Sequence, residues 1–199
     1  MNQDMESISV FDMLSIGVGP SSSHTLGPWR AAKAWIEKLQ QLELFTSVAT
    51  VKVNLYGSLS LTGKGHATDI AVVMGLLGAD PVTFPIENIQ KEIDALKKAN
   101  KLLLNNEKPI PFSFSEDIIF HRKFLPFHPN GITFEATLRN GQKKKETYYS
   151  IGGGFIVQEE RKRAKIQVEK FNHFPFPTHT ALELQGYCDS EKKPISEIV

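Results

Sequence analysis

GSLSLTGKGHATDIAVVMGLLG, residues 57–78, decides how the chain folds. A β-like run, Val48 to Tyr56, stops at its first glycine. A turn-rich segment follows, Thr62-Gly63-Lys64-Gly65-His66. The chain then enters an apolar run at helical spacing, Ile70, Ala71, Met74 and Leu77. Strand, glycine loop and helix start, in that order, aim backbone N–H groups at a positive helix end, which suits a bound anion. His66 stands there beside Lys64, so a carboxylate anchor and a proton-transfer group share a few residues. The competing explanation is turn chemistry: Gly63 and Gly65 shape a tight turn, Lys64 is solvated and His66 is a surface histidine near the helix cap. Nucleotide binding is disfavoured. The pattern G-x-x-x-x-G-K-[ST] needs a glycine where Ser58 stands and a hydroxyl where Gly65 stands, and G-x-G-x-x-G fails at Ala67 and Thr68.

The chain has 199 residues, enough for one substantial core or one domain and the beginning of another. It is 41% apolar and 23% charged with a net charge of +1, so nothing electrostatic points to nucleic acid or an anionic membrane. Apolar stretches break off before membrane-spanning length. The N-terminus, MNQDMESISV, carries acids where a signal peptide carries lysines, so a cytoplasmic location is expected. One cysteine, Cys188, excludes an internal disulfide framework and a zinc site built on several thiolates; it reads as a small half-buried helix residue.

Along the chain, Ser9 to Leu14 suggests a short helical turn, and Ser15 to Pro28, SIGVGPSSSHTLGP, a loop. The next run places Ala32, Trp35, Ile36 and Leu39 on one helical face, with Thr25 as its cap and Pro28 in its first turn. Ser21, Ser22, Ser23 and His24 therefore sit at the mouth of a helix. Val48, Val51, Val53 and Leu55 mark a strand. Ile86, Ile89, Ile93, Leu96 and Leu103 predict a helix that ends at Asn105-Asn106 and Pro109. Ile118 to Leu125 reads as a strand closed by Pro126. A hairpin follows, with Ile132, Phe134, Ala136 and Leu138 facing one way and Asn140-Gly141 at its turn. Its return strand ends at Ser150-Ile151 and meets a triple glycine, Gly152 to Gly154. The basic runs Lys143-Lys144-Lys145 and Arg161-Lys162-Arg163 read as solvated faces. Phe171 to Pro177 reads as a connector, and a helix capped by Thr178, with Glu183 inside it, follows.

Three polar turns stand out: SSSHT (Ser21 to Thr25), TGKGH (Thr62 to His66) and SIGGG (Ser150 to Gly154). His128, in LPFHPNG, is a fourth candidate. Each alone is explained by turn chemistry. Together they make one pocket for a small zwitterion, with amides and hydroxyls for a carboxylate and histidines for proton transfer.

In this order, SIGVGPSSSHTLGP, YGSLSLTGKGHATD, LPFHPNG and YYSIGGGFI closely resemble the N-terminal domain of the iron–sulfur-dependent L-serine dehydratases (L-serine ammonia-lyases) of the single-chain bacterial type. The resemblance runs from about Ser9 onward. It implies an α/β (α+β) fold, a mixed β-sheet packed with helices, similar to the regulatory domain of some 3-phosphoglycerate dehydrogenases. It implies conversion of L-serine to pyruvate and ammonia with a [4Fe–4S] cluster and no pyridoxal phosphate. One iron with an open position would act as a Lewis acid on the serine hydroxyl. His66 would take the Cα proton, a role that suits histidine's ordinary pKa of about 6.5. His24 and His128 would line the same site. Ser21, Ser22, Ser23, Thr62, Lys64, Ser150, Gly152, Gly153 and Gly154 would orient the substrate.

The departure is in the cysteines. The family's cluster is held by cysteines of a C-terminal domain, and Cys188 alone cannot ligate four irons. The resemblance therefore implies that a C-terminal cluster-binding domain or an alpha chain completes the site, within a homodimer of the full enzyme. Residues 1–160 are expected to form the beta-chain-like domain, 161–177 a linker and 178–199 the start of the cluster-binding domain; the chain alone is expected to be inactive. The alternative is a non-catalytic regulatory module that binds L-serine or another small carboxylate. Fold does not settle function, and the discriminating feature is that such a sensor needs amides, hydroxyls and Lys64 but not His66.

Overall fold

The computed structural model describes residues 21–159, Phe176 and residues 180–198. The turn read at Ser9 to Leu14, the first part of the serine-rich loop, the run Arg161-Lys162-Arg163 and the cap at Thr178 lie outside them, as does most of the Phe171–Pro177 connector. The chain divides into two compact units. The larger contains all described residues from 21 to 159, and the smaller contains Phe176 and 180–198.

Helix α1, Leu26–Gln41, buries Trp29, Ala32, Trp35, Ile36 and Leu39 on the stripe its spacing predicts. Thr25 precedes it but does not cap it; its hydroxyl donates back to the Ser21 carbonyl at 2.7 Å. Strand β1, Val48–Leu55, buries Val51, Val53 and Leu55 and exposes Lys52. Gly57 ends it at φ +56°, where a Cβ would lie 2.1 Å from the Pro129 carbonyl oxygen. Only glycine fits. A one-turn helix α2, Ser58–Leu61, and a 3-10 turn, Gly63–His66, lead through left-handed Ala67 into α3, Thr68–Leu76. Helix α3 is buried well beyond the predicted stripe, at Val72, Val73 and Leu76 as well as Ala71 and Met74. At Gly75 it comes so close to α1 that a Cβ would lie 2.3 Å from the Trp29 carbonyl oxygen.

Helix α4, Ile86–Ala99, stops earlier than its apolar spacing predicts, at left-handed Asn100. Leu103 belongs instead to β2, Lys101–Leu104, which pairs with β3, Lys108–Pro111. Leu102 and Leu104 are buried where Lys101 and Leu103 are exposed, a two-residue period hidden in a run too short to separate from a helix. Asn105 and Asn106 form the turn, both at positive φ. Strand β4 spans only Ile118–Phe120, because β1, its partner, runs out at Leu55. Strands β5, Gly131–Leu138, and β6, Lys143–Gly152, make the predicted hairpin, with Gly141 at φ +82°. Strand β7, Phe155–Gln158, has no counterpart in the sequence reading. The triple glycine is the turn that delivers it, all three residues having positive φ.

The result is the expected mixed α+β architecture. The main sheet has the order β4-β1-β5-β6-β7, with β1 parallel to β4 and the other pairs antiparallel. Helix α1 packs on one face, where Trp35 stacks on Phe134 with ring centres 5.0 Å apart. Each large apolar side chain buried there contributes about 1.5–3 kcal/mol. The loop 121–130 crosses the other face, setting Phe127 4.9 Å from the Tyr149 ring.

In the smaller unit, α5, Ala181–Glu191, begins at Thr180 rather than at Thr178. Thr180 Oγ1 accepts from the Glu183 N–H at 3.3 Å, and Glu183 Oε2 accepts from the Thr180 N–H at 3.0 Å, a reciprocal capping box. Cys188 is half-buried on this helix, as expected. A single turn, α6, Ile195–Ile198, follows. Among the described residues no helix is long and apolar enough to cross a membrane.

Candidate functional site

The turn before α1 and the turn before α3 meet at their histidines. The His24 and His66 rings lie with centres 4.9 Å apart, tilted by 37°. His24 is buried and ringed by hydroxyls. Its Nδ1 faces Ser23 Oγ at 3.1 Å and Ser21 Oγ at 3.4 Å, and its Nε2 faces Ser58 Oγ and Thr62 Oγ1, each at 3.1 Å. Burial holds the His24 pKa below its ordinary value, the neighbouring His66 charge adds to this, and the contact with Ser58 opposes both.

The partners sort the tautomers. His66 Nδ1 lies 3.0 Å from the Thr62 carbonyl oxygen, which can only accept. So Nδ1 carries the hydrogen, and Nε2 of neutral His66 holds the free lone pair. The Thr62 hydroxyl donates to the Ser58 carbonyl at 2.9 Å, which leaves its lone pairs for a hydrogen on His24 Nε2. Thr62 thus orients both rings, one through its carbonyl and one through its hydroxyl. At the third histidine, Nδ1 of His128 accepts from the Asn130 backbone N–H at 3.1 Å, so neutral His128 carries its hydrogen on Nε2.

Asn130 ties that histidine to the serine turn. Its side chain donates to the Ser150 carbonyl at 3.1 Å, and its own carbonyl accepts from the Ser150 N–H at 3.0 Å. Ser150 Oγ in turn donates to the Ser23 carbonyl at 2.7 Å. This bridge needs Gly27: a Cβ there would lie 2.0 Å from Ser150 Oγ.

Of the residues named from the sequence, Ser21, Ser23, His24, Thr62 and His66 therefore form one cluster, with Ser150 behind it and His128 linked through Asn130. Others stand apart. Ser22 is exposed, and its carbonyl accepts from Gly27 N–H at 2.9 Å. Lys64 lies over the Phe120 ring, 5.3 Å from its centre. Gly152, Gly153 and Gly154 form the β6–β7 turn, where the Gly154 carbonyl accepts from Arg30 at 3.1 Å. The anion-binding helix end expected before α3 differs too. The Gly65 and Ala67 N–H groups close the 3-10 turn, and the Asp69 carboxylate accepts from the Ile70 N–H at 3.0 Å in the first turn of the helix. Ser58 and Asn130 were not singled out in the sequence. Their signals were Ser58's place directly after the strand-ending Gly57, and Asn130's place two residues after His128.

Beyond His66 the surroundings turn apolar. A recess of about 330 Å³ opens between α1, α3 and α4, lined by Trp29, Ile70, Ile86 and Ile89 beside His66 itself. The site thus has a hydroxyl-rich side and a dry side. Among the described residues no three His, Cys, Asp or Glu side chains converge as a metal site would require.

Fold and geometry together define an α+β module in which two histidines and the hydroxyls of Ser21, Ser23, Ser58 and Thr62 meet. Comparison with known proteins makes the class specific. The chain belongs to the serine dehydratase beta chain family, whose model matches residues 9–161. It is 42% identical over 193 residues to L-serine dehydratase TdcG of Escherichia coli (strain K12), covering 96% of this chain and 42% of that protein. It is 44% identical over 179 residues to an L-serine dehydratase of Streptomyces coelicolor (strain ATCC BAA-471 / A3(2) / M145), covering 89% of this chain and 39% of that one. With L-serine dehydratase 1 of the same Escherichia coli strain the identity is 44% over 185 residues, covering 92% of this chain and 40% of that protein. The chain thus spans about two fifths of the length of these relatives.

Proposed function

We propose that this chain is the substrate-binding and proton-transfer part of an L-serine dehydratase, a lyase that converts L-serine to pyruvate and ammonia. The observation that carries the reading is the His66 Nδ1–H bond to the Thr62 carbonyl, which leaves Nε2 as the basic nitrogen. A β-elimination begins with loss of the Cα proton, and a positioned neutral imidazole suits that step. In this proposal His66 Nε2 takes the proton, the Cα–H electrons form the Cα=Cβ bond, and the β-hydroxyl leaves with its bonding pair as hydroxide, which the proton held on His66 neutralises to water as the imidazole is regenerated. The resulting 2-aminoacrylate tautomerises to the imine, and water hydrolyses this to pyruvate and ammonium. His24, kept neutral by burial and by the charge arriving on His66, holds the hydroxyls of Ser21, Ser23, Ser58 and Thr62 in place. With the Thr62 proton held by the Ser58 carbonyl and the Ser23 proton by His24 Nδ1, the Ser21 and Ser58 hydroxyls and the His128 Nε2–H are the donors for the substrate carboxylate.

The [4Fe–4S] cluster implied by the resemblance does not fit this chain, whose one thiol is Cys188. We assign it to the part of the relatives that this chain does not cover, and no step above runs through it. The test is pyruvate formation from L-serine under strict anaerobiosis, with iron and sulfide supplied. It compares this chain alone, the chain joined to the remaining part, and that assembly carrying His66→Gln. Turnover only in the assembly, lost in His66→Gln while serine still binds, is the expected outcome. Turnover by the chain alone, or a His66→Gln enzyme that loses affinity but keeps turnover, overturns the assignment; the second result points to a regulatory serine-binding module.

A further inference from the structure

The face of the main sheet opposite α1 carries a second concavity, unrelated to the histidine cluster. The loop 121–130 folds over this face only in part. Leu125 covers Gly131, where a Cβ would come within 2.7 Å of its side chain, and Phe127 covers Tyr149. Between this loop and strands β5, β6 and β7 a recess of about 440 Å³ stays open, lined by Tyr56, Lys123, Leu125, Thr133, Lys145 and Thr147, with Glu146, Gln158 and Glu159. Its volume matches small-molecule sites.

The charges there do not cancel. Lys123 and Lys145 both line the recess, and among the described residues neither has a carboxylate within ion-pair distance; Lys123 instead lies 5.6 Å from the centre of the Tyr56 ring. Of the two acids, Glu146 is opposite Phe134 in the register, on the α1 side, where Lys144 is 3.4 Å away and Tyr148 and Gln158 donate to it. Glu159 accepts from the Tyr149 hydroxyl at 2.9 Å. Glu135, opposite Lys145 in the register, is paired with Lys143 at 2.9 Å, so among the residues lining the recess two ammonium groups stand against Glu159. The hydroxyls of Thr133 and Thr147 lie 2.9 Å apart on neighbouring strands, and only one of their two protons is needed between them. The other is left to donate into the recess. We propose that this recess binds a small organic anion, a carboxylate or a phosphate ester, whose charged group lies between Lys123 and Lys145 and accepts from the Thr133–Thr147 pair.

A reporter lies behind the wall residue Tyr56. His121 stacks on Tyr56 with ring centres 4.6 Å apart and donates from Nε2 to the Asn54 side chain at 2.8 Å. Burial lowers its pKa, and the charges of Lys123 and Lys145 lower it further, so both fields converge on one imidazole. An anion between the lysines cancels those fields, and the His121 pKa then rises.

The experiment is a pH titration of the His121 ring proton by NMR in the 199-residue chain, at constant ionic strength. Chloride is compared with sodium malonate and with inorganic phosphate, and the resonance is assigned with His121→Gln. The expected result is a saturable rise in the His121 pKa with malonate, phosphate or both. The affinity should fall about ten-fold in Lys123→Gln and in Lys145→Gln, the worth of one charge-assisted hydrogen bond. A response to malonate alone identifies the carboxylate class, and one to phosphate alone the phosphate class. Both lysines are exposed at the mouth of the recess, and an unchanged amide spectrum checks that each variant is folded. No response to either anion in the wild-type chain overturns the proposal, as does a response of full size that persists in the double lysine variant.

Discussion

Replacing Gly27 by alanine tests the packing that holds the serine turn against β6. The new Cβ would lie 2.0 Å from Ser150 Oγ and 2.8 Å from Ser150 Cβ, so either α1 or the strand must move. Overpacking of this kind costs about 1–3 kcal/mol. Pushing Ser150 away from the Ser23 carbonyl forfeits a buried hydrogen bond worth about 1 kcal/mol more. Alanine's better helix propensity returns at most about 1 kcal/mol. A net loss of about 1–3 kcal/mol remains, which for a unit of this size lowers Tm by roughly 2–12 °C. Thermal unfolding followed by far-UV circular dichroism measures it. The decisive comparison is a double-mutant cycle with Ser150→Gly, which removes the atoms that clash. Gly27→Ala should cost clearly less in that background than in the wild type. If the two substitutions add to within about 0.5 kcal/mol, or if Gly27→Ala alone is as stable as wild type, the close approach is wrong and with it the bridge from Ser150 to the histidine cluster.

Three further outcomes are expected. In the assembled enzyme, His66→Gln should lower kcat by roughly 10²–10⁴-fold with little change in KM for serine, as removal of a general base does, read from initial rates of pyruvate formation. The stability contribution of His24 depends on pH: because its folded pKa lies below the unfolded value of 6.5, the unfolded chain takes up a proton first, and stability is lost as the pH falls through that value. The Tm gap between wild type and His24→Gln should accordingly narrow between pH 8 and pH 5.5 in calorimetric scans. Thr180→Ala, which removes one half of the capping box, should cost about 1 kcal/mol locally. Amide hydrogen exchange at residues 181–184 should speed up about five-fold.

What could be read from the sequence follows from the range of the forces involved. Helix α1, strand β1 and the β5–β6 hairpin were legible because their apolar periods are long and their turn residues specific. The β2–β3 hairpin was not, since Leu103 continues the helical spacing of Ile93 and Leu96, and only Asn100 in a left-handed conformation separates the helix from the strand. Strand β7 was hidden because a triple glycine signals close backbone approach without saying to what. At the site, adjacency in sequence found His24 with its serines and His66 with Thr62. It could not find Ser58 against His24, 34 positions away in sequence, or Asn130 against Ser150, 20 positions away. Nor does adjacency in sequence reveal that the Lys64 ammonium group lies over Phe120.

The 4.9 Å separation of the His24 and His66 rings carries a consequence for the fate of a proton. A charge on His66 makes His24 a poorer acceptor, so a proton captured at His66 Nε2 has no easy onward route through its neighbour. The Thr62 carbonyl, which already holds the Nδ1 hydrogen, closes the other exit. In the reading proposed above, with His66 as the base, a proton captured at Nε2 is therefore not relayed along the histidine pair and leaves from the ring that received it, to the departing hydroxyl or to water, since that ring is partly open to solvent. Wash-out of deuterium from Cα-labelled serine should then depend on His66 and not on a relay through His24.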